Sequence, residues 1–135
     1  MTEPAPEGNA LTIADTCFLV DLMRGDPAAE EIVRIHNPLK TTAISSAEFL
    51  FGARNSGKKK MYDISEKFLR FFPVLPFDAE SAIIYADLAS TLSGTGRRIS
   101  TLDELIAAIA LRHDEPLLTR DRHFSEIDGL EIIPY

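Results

Sequence analysis

The sequence predicts a single α/β domain, a mainly parallel sheet flanked by helices, and three observations predict it. Short apolar candidate strands alternate with helices from residue 11 to residue 133. Of the 135 residues, 45% are hydrophobic and 26% charged, the balance of a folded globular chain rather than a disordered one. That length suits one domain around one core, and neither an internal repeat nor a linker divides it.

The elements follow in order. Residues 1–9, MTEPAPEGN, are polar and Pro-rich and read as a disordered leader, which leaves 10–135 as the domain. Leu11–Ala14 reads as a short buried strand ending in Asp15-Thr16, and a helix follows through Phe18, Leu19, Leu22 and Met23 to Gly25. Asp26 caps the next helix, Pro27 sits in its first turn, and Ile32, Val33 and Ile35 give it an apolar side. Thr41–Ile44 is a second strand by its β-branched content. Ser45 opens a helix through Phe49, Leu50 and Ala53 that Gly57 breaks, and Lys58–Phe71 forms another. Val74–Phe77, flanked by prolines, is a candidate strand. Asp78 caps a long helix through Ala82, Ile83, Tyr85, Ala86, Leu88 and Ala89 to Gly94. Thr101–His113 is apolar nearly all round, the pattern of a buried helix. Leu117–Thr119 and Leu130–Ile133 complete the strands, the last at an edge.

Asp15 is out of place by composition. It sits inside the apolar run LTIADTCFLV, and burying an unpaired carboxylate costs several kcal/mol. Parallel sheets bind ligands beyond the carboxyl ends of their strands. Asp15 and Asp121 lie at such ends, Glu48 in the first turn after the second strand, and Asp103 in the first turn of the buried helix. Each also has an ordinary explanation. Asp15 suits a helix cap, although Thr16 would serve, and Ser45-Ser46-Ala47-Glu48 fits a capping box. Thr101 and Glu104 form a second box that leaves Asp103 spare, and Asp121 suits an Asx-turn. Taken jointly, four converging carboxylates repel one another, and a divalent cation resolves the conflict. An all-oxygen donor set, with no His or Cys at ligand spacing, suits Mg²⁺ or Mn²⁺ rather than zinc.

The formal net charge of −7 argues against a broad phosphate-binding surface, though cations cluster at 54–60, 96–98 and 120–123. The single cysteine, Cys17, excludes an internal disulfide and reads as a small core residue. No secretory signal opens the chain and no apolar run spans a bilayer, so a cytoplasmic protein without membrane contact is expected. His36, His113 and His123 form no recognisable catalytic constellation; His123-Phe124 fixes the loop after Asp121, with Phe124 in the core.

With the four acids marked, the chain resembles the PIN-domain family, and within it the VapC-type toxins of toxin–antitoxin pairs. The matching stretches are IADTCFLVDLM (13–23), ISSAEFLFGA (44–53), TLDELIAAIAL (101–111) and LLTRDRHFSEIDGLEII (117–133). The resemblance implies a parallel sheet of about five strands and metal-dependent endoribonuclease activity. It further implies one or two Mg²⁺ or Mn²⁺ ions held by Asp15, Glu48, Asp103 and Asp121. Thr16 and Thr119 would support these ligands, and Phe49 replaces the family's usual Leu after Glu48. A VapB-like antitoxin partner and a homodimer are implied as well, with the apolar region 26–71, including FLRFF, as a candidate face for either. Metal-activated water would attack a phosphodiester in line, with Lys58, Lys59, Lys60, Arg120 and Arg122 holding flanking RNA phosphates. Alternatives are an RNA-processing nuclease of the same fold outside such a pair, or a non-catalytic binding module. A phosphatase of the haloacid dehalogenase type would need an Asp where Cys17 stands.

Overall fold

A three-residue strand, β1 (Thr12–Ala14), runs through the centre of the molecule with every residue fully buried. The computed structural model describes residues 12–36 and 38–135, so the expected leader and Leu11 lie outside the described residues. After β1 come α1 (Thr16–Met23), α2 (Pro27–Ile35), β2 (Leu39–Thr42), α3 (Ala43–Asn55), α4 (Lys59–Leu69) and β3 (Val74–Leu75). Then follow α5 (Ala79–Gly94), α6 (Thr101–His113), β4 (Leu117–Leu118), a 3₁₀ turn (Arg122–Glu126) and β5 (Ile132–Ile133). The five strands form one sheet in the order β3-β2-β1-β4-β5, and all neighbours are parallel.

The pleat divides the core in two. Successive side chains of a strand point to opposite faces. Ile13 and Leu117 therefore join Leu88, Ile106, Ile109 and Phe124 beneath α5 and α6, while Ala14 and Leu118 join Phe18, Leu19, Phe49 and Leu69 on the other face. Helix α6 takes the bounds its composition predicts, with Ile106 to Ala110 fully buried. Of the FLRFF run, Phe68 and Phe72 pack into the second cluster with Phe49, and Phe71 is left 83% exposed.

Four local expectations are corrected. The second strand is Leu39–Thr42, not Thr41–Ile44, because its register on β1 pairs Thr12 with Leu39. Its last residue, Thr42, caps α3 by accepting from the Ser45 amide at 2.9 Å, so Ser45 is not the cap and Glu48 falls in the second turn, outside any capping box. Ser100, not Thr101, caps α6 by accepting from the Asp103 amide at 3.2 Å. Glu104 is then free of capping duty, fully buried, and paired through both carboxylate oxygens with the Arg98 guanidinium. Ile35 and Ile83, expected on apolar helix faces, are 56% and 59% exposed.

Candidate functional site

Strand order reverses between β1 and β4, since β2 and β3 extend the sheet on one side and β5 on the other. The crevice beyond the carboxyl ends at such a reversal is where open α/β sheets bind ligands. Asp15 leaves β1 there, and Thr119 and Asp121 leave β4.

Asp15 is 4% exposed, and both of its oxygens are held. Oδ1 accepts from the Thr16 amide at 2.7 Å, capping α1, and Oδ2 accepts from the Thr119 hydroxyl at 2.7 Å and the Cys17 thiol at 3.6 Å. Burial still outweighs these bonds. With the nearby Asp103 charge adding to it, burial pushes the Asp15 carboxyl up to about 6. Cys17 is only partly buried and joins the network around Asp15, also receiving a bond from the Tyr135 hydroxyl at 3.7 Å; it is not simple core filler.

The other acids are brought in by packing. Helix α3 touches both α1 and α6, which carries Glu48 to Thr16 and towards Asp103. The Thr16 hydroxyl donates to Glu48 Oε1 at 2.6 Å. Partial burial, then the charges of Asp121 and Glu48, hold the Asp103 carboxyl above its ordinary value. Asp121 is fixed by its own loop. Its amide donates to Thr119 Oγ1 at 3.0 Å, and its carboxylate accepts from the His123 amide at 2.9 Å. Phe124, fully buried, anchors that loop as expected. No ion pair among the described residues involves Asp15, Glu48 or Asp103. Among the described residues, the only basic side chain paired with any of the four acids is His123, which faces Asp121.

Two site expectations change. His123 is at ligand spacing after all: its Nδ1 lies 3.1 Å from Asp121 Oδ1, and donor atoms of Asp103, Asp121 and His123 lie within 4.8 Å of one another. The Asp-x-His spacing of 121–123 is the local signal that carried this, legible only once the 3₁₀ turn is known. Arg120 does not present a free guanidinium for RNA phosphate. It contacts Asp21 at 3.2 Å and Asp26 at 3.1 Å and stacks on the Tyr135 ring at 4.3 Å, which pins the chain after β4 to α1 and the start of α2. Lys58 and Lys59 line a separate cleft of about 500 Å³ with Arg54 and Tyr62, and Lys59 pairs with Asp63 at 3.0 Å.

A five-stranded parallel sheet with carboxylates gathered at its strand-order reversal defines a class, and the chain belongs to it: the PIN domain family, whose model matches residues 12–130. Within that family its relatives are VapC ribonucleases. It is 31% identical to the VapC ribonuclease Y4jK of Sinorhizobium fredii, over 91% of this chain and 96% of that protein. It is also 31% identical to ribonuclease VapC1 of Rickettsia felis, over 90% of this chain and 93% of that one. Among solved structures, VapBC-1 from nontypeable Haemophilus influenzae superposes with a TM-score of 0.80 at 25% identity, covering 92% of this chain and 97% of that one. VapBC2 from Rickettsia felis bound to a promoter DNA fragment, at 24% identity, bears on the fold alone, with a TM-score of 0.83 over 93% and 98%. The expected fold, family and ribonuclease class are borne out.

Proposed function

We propose that this VapC-type ribonuclease cuts RNA at a Mg²⁺ or Mn²⁺ site formed by Asp15, Glu48, Asp103 and Asp121, and is held in check by a VapB-like antitoxin. The observation that supports the reading is the Asp15 carboxylate, buried, raised to about 6 in part by the Asp103 charge, with no ion pair to either acid among the described residues. Such a donor set of hard oxygens fits a divalent cation. When bound, the metal supplies Lewis-acid stabilisation of phosphoryl charge and an activated water. The chain's own residues do the rest. Thr119 holds Asp15 Oδ2 and the Asp121 amide with one hydroxyl, so two acids from two strands keep a fixed spacing. Thr16 orients Glu48 from the neighbouring helix. Lys58, Lys60 and Arg122 are exposed and available to flanking phosphates.

A groove of about 470 Å³ begins at Thr16 and Glu48 and runs between α1, α3 and α4 over Val20, Met23, Phe49, Met61 and Ile64. An apolar segment with a cationic end complements it, and an antitoxin seated there would cover Glu48. Exposed Phe51 and Phe71 are further apolar surface suited to a second copy of the chain. The retention of all four acids disfavours a non-catalytic module. No helix among the described residues is long and apolar enough to cross a membrane.

The test is RNA cleavage by wild type, Asp15→Asn and Asp103→Asn with added Mg²⁺ or Mn²⁺. The expected result is loss of at least about 100-fold in both variants. Undiminished cleavage by nuclease-free preparations would sink the assignment.

A further inference from the structure

We infer that His123 supplies an imidazole nitrogen to the metal site and tilts its preference from Mg²⁺ towards Mn²⁺. The inference rests on the four-acid reading above and adds a donor that the acids do not predict. Donor atoms of Asp103, Asp121 and His123 lie within 4.8 Å of one another, close to the span of about 3–4.5 Å between ligands on one octahedral ion. The ring is not held in the core: its side chain is 73% exposed, on the open side of a site whose inner wall is Asp15. Its position is nevertheless set. The His123 amide donates to the same Asp121 oxygen that its ring faces, and the next residue, Phe124, is fully buried. One turn of backbone therefore aims a carboxylate and an imidazole at the same place as Asp103. Mg²⁺ takes oxygen donors, whereas an imidazole nitrogen favours transition ions.

The experiment uses the full chain stripped of metal, as wild type, His123→Gln and Asp103→Asn. Each is titrated with MnCl₂ and MgCl₂, and the Mn²⁺ forms are examined by pulsed electron paramagnetic resonance. Wild type is expected to show nitrogen coupling from a directly bound imidazole, absent from His123→Gln. That variant should also lose about tenfold in Mn²⁺ affinity relative to Mg²⁺. Bound Mn²⁺ without nitrogen coupling, or an unchanged Mn²⁺-to-Mg²⁺ ratio in His123→Gln, overturns the inference and leaves the four-acid site standing. Absence of Mn²⁺ binding in wild type, or undiminished binding in Asp103→Asn, overturns both.

Discussion

Replacing Asp15 by Asn should stabilise the metal-free protein, and the size of the effect should follow pH. Asn keeps the shape of the side chain, an oxygen for the Thr16 amide, and a polar group facing the Thr119 hydroxyl. What it removes is the buried charge. Folding raises the Asp15 carboxyl from 3.8 to about 6, so the native state binds this proton more tightly than the unfolded state does. The penalty is absent below the unfolded value, grows as pH rises between the two, and is complete above the folded one. A shift of that size corresponds to about 3 kcal/mol at pH 7.5, falling to about 1 kcal/mol at pH 4.5. Urea unfolding in a chelator at the two pH values reads it directly. Mn²⁺ at a thousandfold excess over Kd should reverse the order, stabilising wild type by about 4.1 kcal/mol and Asp15→Asn far less. An Asp15→Asn protein no more stable than wild type at pH 7.5 without metal would mean that the carboxylate is already neutralised and carries no burial penalty for a cation to relieve.

Other outcomes follow from neighbouring contacts. Thr119→Val removes the hydroxyl shared by Asp15 and Asp121; it should cost about 1–3 kcal/mol in chemical denaturation and about 10–100-fold in Mn²⁺ affinity, with Thr119→Ser close to wild type. Phe124→Ala should cost about 3–5 kcal/mol and, by loosening the Asp121 turn, also weaken metal binding in calorimetric titration. Arg98→Met leaves the buried Glu104 carboxylate without its partner, whereas Glu104→Met leaves a partly exposed guanidinium that water can solvate. The first should therefore lower the thermal midpoint more than the second, and the reverse order would contradict the burial of Glu104.

The sequence by itself determined the alternation of strands and helices, the all-apolar α6, and the four acids, because these are written in local periodicity and in the position of a charge against an apolar run. Asp15 in LTIADTCFLV and Asp103 ahead of a buried helix are legible for that reason. Boundaries were less so. Ser45 reads as the start of α3 in sequence, and only the pairing of β2 with β3, which reaches Thr42 opposite Leu75, shows that the strand runs to Thr42 and the helix starts there. The family resemblance names Thr16 and Thr119 as supporting residues, but which acid each one holds was decided by tertiary structure alone. Thr119 reaches Asp15 across 104 positions of chain and Thr16 reaches Glu48 across 32, and no local pattern encodes either bond. The same holds for Arg120, whose charge suits phosphate in sequence but is paired in the fold with Asp21 of α1 and Asp26, the cap of α2. His123 is the reverse case. It is an ordinary surface histidine in one dimension, and the turn after β4 places its nitrogen beside the carboxylates of Asp121, at the start of that turn, and Asp103, from α6.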